Sequence, residues 1–99
     1  MITKRELADK FIQAGNGDVA IEIEDLACLG ITEKPKMFTS KKGRKMRLDI
    51  DNPCQRWEHF CQWVYETFSG EPFAPSMYHG RGWRSRDVAE RVAKMLREE

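Results

Sequence analysis

The chain of 99 residues contains no long apolar run. Nothing in it approaches the roughly 20 consecutive apolar residues of a bilayer-spanning helix. Its first stretch, MITKRELADKF, lacks the apolar core of a secretory signal, so a cytoplasmic location is expected. Cysteine is scarce: Cys28, Cys54 and Cys61 are the only three, and no C-x-x-C pair occurs. An odd, unpatterned set suits a reducing compartment and gives no disulfide framework. Histidine is scarcer still, with His59 and His79 alone. On a helix Cys54 and Cys61 share a face while His59 points about 140° or more away, so three metal ligands do not converge. There is no G-x-S-x-G, no Walker loop and no dinucleotide fingerprint. Gly80-Arg81-Gly82 lacks the strand–turn–helix setting of a phosphate loop. No catalytic residue, metal or cofactor is expected, and the chain reads as non-enzymatic.

What is present is a single strongly periodic, aromatic-rich run, Pro53 to Phe68. Asp51 or Asn52 can cap it, Pro53 suits its first turn, and Gly70 can end it in the left-handed conformation. Cys54, Trp57, Cys61, Val64 and Phe68 recur in steps of three and four and form one stripe, widened by Phe60 and Tyr65. This is the expected central helix. With Cys54 and Cys61 on the stripe, both act as small apolar residues and neither is expected to be a nucleophile. Trp63 falls on the opposite side of the wheel, between Arg56, His59 and Glu66. Either a segment near Trp83 folds over it, or it is an exposed aromatic anchor for a partner.

The remaining elements arrange themselves around that helix. Thr3 and Glu6 have capping-box spacing, with Ile2 and Leu7 as a hydrophobic staple. Leu7, Phe11 and Ala14 form the inner stripe of the first helix, with Ala8 and Ile12 beside it. Val19, Ile21 and Ile23 alternate as in a strand, whereas EDLACLG ends like a helix at Gly30. A strand at 19–23 followed by a helical turn at 24–29 reconciles the two; a helix over 19–29 is the alternative. Met37 to Ser40 and the alternating Met46, Leu48 and Ile50 predict a hairpin around Lys41-Lys42-Gly43-Arg44. Residues 69–84 are rich in glycine and proline and predict a long loop carrying Phe73, Met77, Tyr78 and Trp83. Pro72 and Pro75 lie in it, and a prolyl isomerase is a conceivable partner there if the loop is mobile. Ser85 caps a last helix whose inner face is Val88, Val92, Met95 and Leu96. The expectation is one α+β domain over 1–99, rich in helix, with a small antiparallel sheet.

The net charge of +1 conceals segregation. Residues 1–33 carry three basic and seven acidic side chains, 34–47 seven basic and none acidic, 48–79 one basic and five acidic, and 80–99 six basic and four acidic. Charge blocks of this kind speak to partners and steering. Two candidate surfaces follow. One is a partner-binding set of Trp63, Arg56, Phe73, Tyr78, Trp83, Arg81, Arg84 and Arg86, aromatic and arginine-rich as binding hot spots are. The other is the basic hairpin, with Lys36, Lys41, Lys42, Arg44, Lys45 and Arg47 placed to meet nucleic-acid phosphates. A bland reading of the hairpin is a charged edge that resists aggregation.

The aromatic stretch 57-WEHFCQWVYETFSGEPF-73, followed by the basic tail 80-GRGWRSRDVAERVAKMLREE-99 in so short a chain, resembles small bacteriophage accessory proteins of the lambdoid recombination region, of the anti-RecBCD type. The resemblance implies a non-catalytic modulator or inhibitor that binds a host DNA-processing protein complex, such as a recombination nuclease/helicase, in the host cytoplasm. A small nucleic-acid-binding domain is the alternative.

Overall fold

Local sequence sets each boundary of the structure. It is a computed structural model that describes residues 1–14, 20–73 and 85–98, with the backbone alone at 85 and 86. Helix α1 spans Lys4–Ala14. Thr3 and Glu6 close the expected capping box, each backbone N–H donating to the other's side-chain oxygen at 3.1 Å. A short 3-10 helix covers Ile23–Leu29 and ends on Gly30 in the left-handed conformation. The hairpin is β1, Met37–Thr39, and β2, Lys45–Arg47, antiparallel with Phe38 opposite Met46. Helix α2 is Pro53–Ser69, capped by the Asn52 side chain and closed by Gly70 at φ 73°. Helix α3 is Ser85–Arg97. The fold is α+β, rich in helix with one small antiparallel sheet, and α3 packs against both α1 and α2. Among the described residues no helix is long and apolar enough to cross a membrane.

The core is a stack of aromatic rings. Phe11 of α1 lies 5.5 Å from Trp57 and 6.0 Å from Phe60 of α2, centroid to centroid, and Trp57 lies 5.7 Å from Phe60. Leu7, Val64, Val88, Val92 and Leu96 complete it. Arg91 of α3 lays its guanidinium 5.5 Å from the Tyr65 ring and donates to the Tyr65 hydroxyl at 3.1 Å.

Several expectations need correction. The described residues 20–23 form no strand: Ala20 is 3-10 helical, and the continuous 3-10 helix runs from Ile23. Ile23, Leu26 and Leu29 recur every three residues, the 3-10 repeat, and this sets the segment down on the core through Leu26. Cys61 is buried as expected, but Cys54 is exposed, because the first turn of α2 extends beyond the elements that cover the rest of the stripe. Ile12 is also exposed, at the flank of α1.

Asp25 ties the 3-10 helix to α1. Its Oδ2 accepts from Lys10 Nζ at 2.9 Å and from the Glu22 N–H at 3.0 Å. Burial raises the carboxyl's pKa, but the Glu22 amide and the Lys10 ammonium more than offset it and hold the group below its ordinary value. A depressed carboxylate contributes stability that is present above its unfolded pKa, about 3.9, and is lost as pH falls through the folded value. Asp25→Asn is therefore expected to lower Tm near neutral pH and to flatten its fall below about pH 4. Parallel acid limbs for the two proteins in a thermal-melt series would contradict this.

Candidate functional site

The densest run of exposed basic side chains among the described residues is the hairpin. Gly43, at φ 88°, turns the chain there. The turn is closed by its own backbone: Ser40 N–H donates to Arg44 C=O at 2.7 Å and Gly43 N–H to Ser40 C=O at 2.9 Å. The buried Ser40 hydroxyl also accepts from Arg44 N–H at 3.0 Å. Lys36, Lys41, Lys42, Arg44, Lys45 and Arg47 are all exposed. Lys41, Lys42, Arg44 and Lys45 form no ion pair with any described residue. Arg47 differs, because it is held in a fork by Asp49, with Nε to Oδ1 at 2.9 Å and Nη2 to Oδ2 at 3.2 Å. That hydrogen-bonded pairing lowers the pKa of the Asp49 carboxyl and raises that of Arg47. Lys34 is also engaged, 5.6 Å above the Phe60 ring. The available cations thus cluster at the tip, where their mutual repulsion favours spreading and a fixed backbone beneath resists it.

A buried carboxylate fixes it. Glu66 of α2 is 4% exposed. Its Oε1 accepts the Lys41 N–H at 2.8 Å. Its Oε2 accepts the Phe73 N–H at 2.9 Å and the Gln62 Nε2–H at 3.1 Å. One side chain therefore joins the hairpin tip, the helix and the chain leaving the helix. At the open end of the hairpin, His59 Nδ1 meets the Arg47 carbonyl at 2.8 Å, so Nδ1 carries the proton. Nothing in the composition singled out Glu66. Its signal was a polar pair, Gln62 and Glu66, one helical turn apart inside an otherwise apolar stretch.

The aromatic surface expected around Trp63 is not a surface. Trp63 is 5% exposed and tilts against Phe60 at 5.8 Å. The hairpin meets it: Trp63 lines a groove of about 320 Å³ with Phe38, Thr39, Lys41, Glu66 and Thr67, while the segment near Trp83 lies outside the described residues. Phe73 is buried too, edge-on to Tyr65 at 4.9 Å. Arg56 is half-buried and directs Nη1 at the Ile50 and Asp51 carbonyls, 3.1 and 3.4 Å away, so it braces the entry to α2. Tyr78, Arg81, Trp83, Arg84, the Arg86 side chain, His79 and Pro75 lie outside the described residues, while Pro72 is exposed beside Phe73.

Cys61 is buried, and burial raises the pKa of the Cys28 thiol, which disfavours the thiolate a nucleophile needs. Among the described residues no three His, Cys, Asp or Glu side chains stand where they could hold a metal ion. No protein-family model, curated protein sequence or solved structure matches this chain.

Proposed function

We propose that the chain is a non-catalytic interaction protein, of the phage accessory type, that docks on a host DNA-processing protein complex in the host cytoplasm. Its basic hairpin faces an acidic surface of that complex. The observation that carries this reading is the hairpin tip itself, where four exposed cations without ion-pair partners among the described residues stand on a backbone pinned by Glu66. The fixed backbone leaves mainly side-chain entropy to be lost on docking, and the field of the four cations steers an acidic partner. The stretch 78–86, with Tyr78, Arg81, Trp83, Arg84 and Arg86, joins the proposal on its sequence alone.

Reversing Lys42, Arg44 and Lys45 to glutamate is expected to abolish partner binding and leave the fold intact, since all three side chains are exposed. Lys41 stays in place in this variant, because a carboxylate there would stand close to Glu66. Unaltered binding by a folded variant would remove the hairpin from the interface.

The same tip supports a second reading, in which it follows nucleic-acid phosphates, because no acidic residue interrupts 34–47. In that case affinity for labelled duplex DNA should fall with salt at a log–log slope of about −4, near −0.9 for each phosphate neutralised. Anisotropy titrations that show no duplex binding at physiological salt would exclude it.

A further inference from the structure

The hairpin register decides which backbone groups of β1 are spoken for. Leu48 N–H donates to Lys36 C=O at 2.8 Å, and Ser40 N–H to Arg44 C=O at 2.7 Å. With Phe38 opposite Met46, residues 36, 38 and 40 turn their amides and carbonyls toward β2. The alternation of an antiparallel ladder then turns those of Met37 and Thr39 outward. On the far edge it turns the Arg47 carbonyl outward, and there His59 Nδ1 meets it at 2.8 Å. The outer edge of β2 is thus engaged by α2, whereas no described residue bonds the outer backbone groups of Met37 and Thr39. Those two residues are themselves exposed, and the 320 Å³ groove floored by Trp63 and walled by Phe38 and Thr67 lies alongside.

We propose that this edge and groove take up an extended acidic segment of the protein partner by strand addition. The inference rests on the protein-directed reading above and names the kind of segment recognised. Main-chain bonds at Met37 and Thr39 would fix its register. Alternate side chains of an added strand point to opposite faces. One set enters the groove against Phe38 and Trp63 and should be apolar. The other lies on the opposite face, which carries Lys45, and should be acidic; Lys36 and Lys41 flank β1 at its two ends. A second copy of this chain is disfavoured as occupant, since pairing two such edges would bring their lysines together. An acidic strand turns the same repulsion into attraction.

The test is a nuclear magnetic resonance titration of the full chain with a short blocked peptide alternating glutamate and valine. Saturable shifts should centre on the Met37 and Thr39 amides and the Trp63 indole, with slowed exchange at the two amides. A glutamine–valine peptide should bind at least about tenfold more weakly, because it lacks the charge. Thr39→Pro removes an outward N–H that the hairpin ladder does not use, and it should abolish binding. Thr67→Arg, which fills the groove from α2 without touching the strand, should do the same and serves if the proline variant is unfolded.

Absence of saturable shifts, equal binding of the neutral peptide, or unchanged binding by a folded Thr39→Pro would overturn the proposal. So would nuclear Overhauser contacts in the free protein from residues 74–84 to the two amides, which would make the chain its own occupant. If a host protein is retained by Thr39→Pro and Thr67→Arg but lost on reversal of Lys42, Arg44 and Lys45, strand addition fails and the protein-directed reading stands.

Discussion

Trp57→Ala is expected to leave the protein largely unfolded at 37 °C. The side chain is fully buried, with Phe11 and Phe60 within 5.7 Å of its ring. Truncating a buried aromatic to alanine costs about 3–5 kcal/mol, through lost burial and through a cavity that rigid neighbouring rings do not fill. A single domain of this size has about 5–15 kcal/mol in total, and small chains sit low in that range. Trp57→Phe should be far milder. The indole Nε1 has no hydrogen-bond partner in the structure, so the phenyl ring removes an unsatisfied buried donor while it keeps most of the stack. Urea melts followed by circular dichroism would measure both variants. Trp57→Ala within about 1 kcal/mol of the parent would mean that the ring stack does not hold the fold.

Glu66→Ala should come next in size, with a different signature. It strips the acceptor from the Lys41 N–H, the Phe73 N–H and Gln62 Nε2 together. Buried donors left unsatisfied cost about 1–3 kcal/mol each, less whatever water recovers once the hairpin lifts. A loss of about 3 kcal/mol is expected. Glu66→Gln should recover part of this, since its amide keeps one oxygen but presents N–H where a second donor already points. Both variants should release the Lys41 amide to fast hydrogen exchange while the amides of α1 stay protected. Partner affinity should then fall although no cation has been altered. If Lys41 stays protected in Glu66→Ala, the carboxylate does not hold the tip.

Most of the framework was legible because its signals are local. Pro53, Gly70 and the pairing of Thr3 with Glu6 act within a turn of their own positions, and each marks the boundary it was expected to mark. The hairpin was equally readable from Met46 and Leu48 alternating with charge. The site was harder to read, since a helical wheel gives the direction of Trp63 but not how many sides of α2 are covered. With α3 on one side and the hairpin on another, a residue drawn on the polar face became core. Phe73 followed for a related reason: the Glu66 carboxylate holds its N–H, a contact between a helix and the loop that follows it. At 20–23 the alternation of Ile21 and Ile23 suggested a strand, but among the described residues no second strand lies there for it to pair with, and the three-residue repeat from Ile23 prevailed. The tip cations needed no correction in position. What the sequence could not convey was the split between Arg47, engaged by Asp49, and the four left available.

A pull-down from nuclease-treated bacterial lysate tests the central claim, comparing the tagged protein with its Lys42, Arg44 and Lys45 to glutamate variant and reading both by mass spectrometry. A stoichiometric DNA-processing protein complex should survive nuclease with the parent and be lost with the variant. Retention of the same complex by the folded variant, or a yield of nucleic acid that nuclease removes, would contradict it.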